Sequence, residues 1–151
     1  MPTTAQPLLA FNIPGVRLGA PPAEAVRRLP SGIAALDTLL GGGLPRGHLS
    51  EIVGGLSSGR TALLHAWLAA STRAGEVAAV IDLPDGLDPP SLARAGADLE
   101  RVLWVRPPSA RIALKCTELI VGAGGFGLVA LQLERKAEAR KAETEEVMHF
   151  L

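Results

Sequence analysis

Three features of this chain of 151 residues predict an α/β fold with a mainly parallel sheet and flanking helices. Short apolar runs of strand length alternate with longer stretches of helical character. A glycine-rich loop stands between one such run and the helix after it. The composition, 48% hydrophobic and 20% charged, is that of an ordinary soluble domain. A chain of this length can bury a core without disulfides or metals, so one domain is the default. Strands joined through helices imply right-handed crossovers, with ligands at the carboxyl ends of the strands.

Residues 1–30 hold six of the twelve prolines and show no period, so they read as an irregular arm, with a short helix near Ala23 to Arg28. Ser31 is placed to cap a helix over Gly32–Leu40, whose Ile33, Leu36, Leu39 and Leu40 recur at helical spacing; Gly41-Gly42-Gly43 ends it. Leu44-Pro45-Arg46-Gly47 turns the chain into a first buried strand, His48–Val53. Thr61–Arg73 is a strong helix former that stops at Gly75, and Val77–Leu83 is an unbroken apolar run suited to a strand covered on both faces. A loop through Asp85, Gly86, Asp88, Pro89 and Pro90 leads to a short helix, Ser91–Ala95. Val102–Arg106, Ala110–Val121 and Gly127–Leu133 then read as strand, helix and strand. From Glu134 the composition changes to alternating charge and alanine. Its propensity and its i,i+3 pairs, Glu138 with Lys141 and Arg140 with Glu143, predict a charged helix over 134–151, anchored by Val147, Met148, Phe150 and Leu151.

The chemistry concentrates at Gly54-Gly55-Leu56-Ser57-Ser58-Gly59-Arg60-Thr61. This is the pattern G-x-x-x-x-G-K-[ST] with arginine in place of lysine, set between a strand and a helix as the pattern requires. In such a loop the glycines let backbone N–H groups close around phosphate. The helix N-terminus adds partial positive charge, the lysine reaches the outer phosphates, and the hydroxyl, here of Thr61, holds Mg²⁺. Arg60 keeps the charge on a bulkier, planar group that does not take the lysine's slot automatically.

Fifteen Lys and Arg balance fifteen Asp and Glu, with no basic cluster, which removes the composition argument for a nucleic-acid groove. The single Cys116 excludes an internal disulfide; with no signal peptide or membrane-length apolar run, a cytoplasmic setting is expected. His48, His65 and His149 lack metal-ligand spacing. Trp67 and Trp104 read as core residues rather than base-stacking platforms.

Leu29 to Leu133 resembles the N-terminal part of the RecA recombinase core, on three stretches: Ser31 to Asp37 with Gly42 to Gly47, Glu51 to Gly59, and Ile81-Asp82 with Leu87-Asp88-Pro89. The resemblance divides the chain into an arm, 1–30, an incomplete RecA-like P-loop core, 31–133, and the charged helix. It implies ATP or ADP with Mg²⁺ as cofactor, on Gly54 to Thr61. It also marks departures. The family's water-activating glutamate falls at Pro84, and the aspartate that ends its fourth strand is either replaced by Gln132 or absent. With Arg60, three parts of the hydrolytic apparatus are changed, so no catalytic residue is assigned and nucleotide binding is expected to be weak or vestigial. The family's DNA-binding loops are not carried over either.

Degenerate chains of this kind resemble the ImuA type of SOS-response protein. That implies a non-catalytic accessory of bacterial translesion synthesis that contacts polymerase-type partners and RecA. The alternative is a working P-loop ATPase of recombination and repair, with Glu51, Asp82, Asp85 or Asp88 serving metal or water. A truncated relative without independent function is a third expectation, suggested by the change at Glu134.

Overall fold

The computed structural model describes residues 26–55, 57–135 and 145–150. Strand β1 (Arg28–Leu29) pairs antiparallel with β2 (Leu44–Pro45) to make a small ribbon around helix α1 (Ala34–Leu39). The main body follows as β3 (Ser50–Gly54), α2 (Arg60–Arg73), β4 (Val77–Asp82), α3 (Pro89–Arg94), a 3-10 turn (Leu99–Arg101), β5 (Val102–Val105), α4 (Ala110–Ala123), β6 (Phe126–Arg135) and β7 (Glu145–Phe150).

Five strands form one sheet in the order β3-β7-β6-β4-β5. β4 is parallel to both β5 and β6, whereas β7 is antiparallel to both of its neighbours, β3 and β6. It follows that β3, β6, β4 and β5 share one direction and β7 alone runs against them. The α/β class and the mainly parallel sheet expected from the alternating pattern are therefore present.

Strand alternation splits the core between the two faces of the sheet. Ala78 and Val80 of β4 and Leu128 and Ala130 of β6 pack with Leu64, Trp67 and Leu68 of α2, and the ribbon adds Leu29 and Leu44. Ala79, Ile81, Val129 and Leu131 point the other way and pack with Ala113 of α4. Trp67 is 1% exposed, in keeping with a core role. Burying each large aliphatic side chain contributes about 1.5–3 kcal/mol, which is the main force holding α2 and α4 to the sheet.

Several local expectations are corrected. Ser31 does not cap α1: the cap position is Ile33, without a side-chain hydrogen bond. Instead Asp37 reaches back and accepts from Ser31 N at 2.7 Å, Ser31 Oγ at 2.8 Å and Gly32 N at 3.0 Å. These bonds hold its carboxyl below the ordinary range, with the Ser31 amide the largest cause. The apolar residues that recur at helical spacing in α1 do not all face the core, since Leu36 and Leu40 touch it while Leu39 is 81% exposed. Pro89 and Pro90 belong to α3 rather than to the loop, because proline at the first helical positions gives up an N–H that would be unpaired anyway. Arg28 lies in β1, not in a helix; Ala23 to Ala25 lie outside the described residues.

The largest correction is at the C-terminal end. The charged helix expected over 134–151 is corrected at both of its ends: Glu134 and Arg135 extend β6, and Glu145–Phe150 is the strand β7. Residues 136–144 and Leu151 lie outside the described residues. Val147, Met148 and Phe150, expected to anchor a free helix on a partner, are in backbone pairing with β3 and β6 on both sides. Pairing on two edges outweighs a helix propensity worth only tenths of a kcal/mol per residue.

Candidate phosphate-binding site

β3 ends at Gly54, and the chain reaches α2 through the loop 55–59 at the carboxyl end of the parallel strands, as a phosphate-binding loop requires. Two conformational features bring it around. Ser57 has φ +60° and Gly59 φ +90°, and Gly54 lies so close to the returning chain that a Cβ there would meet Ser58 Oγ at 2.6 Å. Gly59 is the cap residue of α2 and has no side chain to accept a hydrogen bond, so the first-turn amides carry no side-chain cap. The first turn contains no acidic residue. These are the conditions under which a helix N-terminus attracts an anion. Thr61 is exposed in that first turn, where its hydroxyl is free to face a metal; Leu56 lies outside the described residues.

Arg60 is buried, at 6% exposure. Its side chain turns back into the loop: Nε donates to Ser58 Oγ at 3.2 Å, and a terminal nitrogen stands 3.5 Å from the Gly55 carbonyl oxygen. The cation thus braces the loop that it should project beyond. A phosphate can still meet the amides of the loop and the first turn, but gripping an outer phosphate with Arg60 requires these contacts to open.

The acidic residues near this edge have other work. Asp82 ends β4 on the α2 face with no exposed surface. Its carboxylate accepts from Gly86 N at 3.2 Å, Leu87 N at 2.9 Å and Trp104 Nε1 at 3.1 Å. Asp85, at φ +57°, is held by a two-pronged pair with Arg106, which also stacks over Trp104 with 5.0 Å between guanidinium carbon and ring centre. That pairing holds the Asp85 carboxyl below its ordinary range and raises Arg106. Asp88 caps α3, accepting from Ser91 N at 3.1 Å, and the hydrogen bonding to Ser91 lowers its carboxyl too. Glu51 is exposed on β3, one position off the face that carries Ile52 and Gly54.

The positions where hydrolytic groups were sought carry none. Pro84 sits in the loop clamped by Asp82 and Asp85 and offers no carboxylate. Gln132 is beside Asp82 in register, 8% exposed, with Oε1 lacking a hydrogen-bond partner among the described residues. Among the described residues no three His, Cys, Asp or Glu side chains form a metal-holding group. His65, one helical turn into α2, is also buried, and desolvation lowers its pKa although Asp88 opposes the shift. His65, the Arg106 clamp and the sealing of Asp82 were missed from sequence, because each depends on partners brought together only by the fold.

Comparison with known proteins agrees with this strand, loop and helix. A family model described as the RecA N-terminal domain matches residues 13–149. The chain belongs to the RecA family. It is 42% identical over 118 residues to Protein RecA of Clavibacter michiganensis, covering 77% of this chain and 32% of that protein. Protein RecA of Paenarthrobacter aurescens is 41% identical over 118 residues, with 77% and 34% covered, and that of Picosynechococcus is 39% identical over 117 residues, with 77% and 33% covered. The chain thus spans about a third of the length of these curated relatives. Among its described residues no helix is long and apolar enough to cross a membrane.

Proposed function

We propose that this RecA-family chain is a non-catalytic accessory of bacterial DNA repair, of the ImuA type, that serves the damage response and translesion synthesis through protein contacts. The observation that carries the reading is the state of the acidic groups. Asp82, Asp85 and Asp88, the residues best placed to organise metal or water, are each committed to holding loop 83–88 or capping α3. A P-loop enzyme needs an anionic metal contact and a group that positions the attacking water. Pro84 and Gln132 supply neither.

Nucleotide binding, where it occurs, uses Gly54, Gly55, Leu56, Ser57, Ser58, Gly59, Arg60 and Thr61, with the loop and first-turn amides on phosphate and Thr61 toward Mg²⁺. Because Arg60 is engaged with the loop, the outer phosphate gains little, and ADP binds about as well as ATP. The partners in this reading are polymerase-type proteins of a translesion complex and RecA itself, in the cytoplasm. Membership of a family whose relatives are named RecA favours a second reading, an active ATPase of recombination and repair. Steady-state phosphate release with and without single-stranded DNA separates the two. No release above the buffer rate is expected, whereas turnover that disappears in Arg60→Ala sinks the accessory reading.

A further inference from the structure

The inward turn of Arg60 fastens the P-loop at two points. Ser58 Oγ, which accepts from Arg60 Nε at 3.2 Å, lies on its other side against Gly54, where a Cβ would meet it at 2.6 Å. The Gly55 carbonyl oxygen accepts from the Ser58 amide at 3.3 Å and stands 3.5 Å from an Arg60 terminal nitrogen. The guanidinium thus ties the start of the turn and its end to the first residue of α2. Both of these acceptors are neutral and neither distance is short, so the tie is weak for a cation. A phosphate offers the same group a two-pronged, charge-assisted bond that is roughly twice as strong. No acidic residue stands in the first turn of α2 to compete for it, and Arg60 is the only Lys or Arg between Arg46 and Arg73.

We propose that Arg60 is a latch set by the nucleotide: a nucleoside diphosphate leaves it folded onto the loop, and a nucleoside triphosphate draws it outward onto the terminal phosphate, releasing Ser58 and the Gly55 carbonyl without hydrolysis. This rests on reading Gly54 to Thr61 as a nucleotide site and adds what the site does with its ligand. The inner phosphates need only the amides of the loop and of the first turn, and Arg60 does not have to move for them. The terminal phosphate binds the outward state alone, and a ligand shifts an equilibrium by its differential affinity for the two states. Opening the latch offsets most of what the new bond contributes, so the two nucleotides bind with similar affinity and differ in the loop they leave behind. A site of this kind signals which nucleotide is present, a use that needs no carboxylate at Pro84 or Gln132.

Nitrogen NMR of arginine side chains in the full chain, with calorimetry on variants, tests this. The Arg60 Nε–H signal, identified by its loss in Arg60→Lys, is expected to keep its position when ADP is added and to move with ATP and with a non-hydrolysable ATP analogue alike. Ser58→Ala keeps the loop amide and removes one partner of the latch; it is expected to tighten ATP by about five- to tenfold and to leave ADP unchanged. In Arg60→Ala, which lacks both latch and grip, that preference is expected to vanish. An Arg60 signal that answers ADP and ATP equally, a Ser58→Ala variant that gains equally for both, or one that binds neither nucleotide each overturns the proposal. Phosphate release by the parent chain would sink the accessory reading instead, and the response to the non-hydrolysable analogue still decides the latch.

Discussion

Asp82 illustrates how one buried carboxylate can be spent on structure. Two backbone amides and the Trp104 indole point at it, so Asp82→Asn turns one of its acceptors into a donor among donors. The expected cost is about 1–3 kcal/mol in urea denaturation, from the group left unsatisfied. ADP affinity of the folded variant should not change, because Asp82 is bound to the loop rather than open to the P-loop. Arg60 makes the complementary prediction. Arg60→Lys frees Ser58 and the Gly55 carbonyl and lets a compact ammonium reach phosphate; calorimetry should show tighter ATP binding, and phosphate release should stay at the buffer rate. Release at a rate typical of an active RecA-type enzyme would contradict the roles given to Pro84 and Gln132. The substitution at Arg60 was legible in the sequence as a broken motif. Its inward turn was not, because the choice between reaching out and bracing the loop is made by local geometry.

His65 adds a pH dependence at the same scale. Burial holds its pKa below the ordinary 6.5, so near and below that value the unfolded chain takes up a proton that the folded chain resists. Stability should fall as pH drops from 7 through 6, and His65→Gln should flatten this part of the profile of thermal midpoint against pH. Asp37, Asp85 and Asp88 are shifted down, so what they contribute is present above the ordinary carboxylate range and is lost only at lower pH, below about 4. The two losses occupy different windows. A profile that is flat between pH 7 and 5.5 would contradict the burial of His65.

Elements were legible where their signal is local. The strands around the P-loop, α2, α4 and the paired runs of β4 and β6 follow from periodicity, and their ends shifted by no more than two residues. The ribbon of β1 and β2 was invisible, since two-residue strands carry no period. Its geometry depends on Gly43, at φ +119°, where a Cβ would lie 2.1 Å from the Leu29 carbonyl oxygen. Gly43→Ala should therefore separate the ribbon and expose Leu29 and Leu44, at a cost of about 1–3 kcal/mol. Thermal unfolding measures it, and a midpoint unchanged from the parent would show that the ribbon contributes nothing. β7 was misread because its approach is rich in Ala, Glu, Lys and Arg, which favour a helix when no partner is considered; only the two flanking strands make an extended form preferable.

At the scale of the molecule, β3 joins the sheet through β7 alone, because β7 stands between it and β6. Deleting residues 145–151 should lower stability and leave the P-loop strand the least protected in hydrogen exchange, ahead of β4 and β6. Equal protection in all three would refute this. The antiparallel strand also has a consequence in time. Ser50 pairs with Phe150, across two-thirds of the chain, whereas β4, β5 and β6 can associate over shorter separations. During synthesis β3 emerges well before β7, its partner in the sheet, and must wait for it. Long-range pairing of this kind is slow, and an apolar strand left waiting is exposed to other chains. The phosphate loop is thus made before the strand that ties β3 to the sheet, so conditions that delay β7, such as stalled translation, should yield a chain with a formed β4–β6 core and no ordered loop.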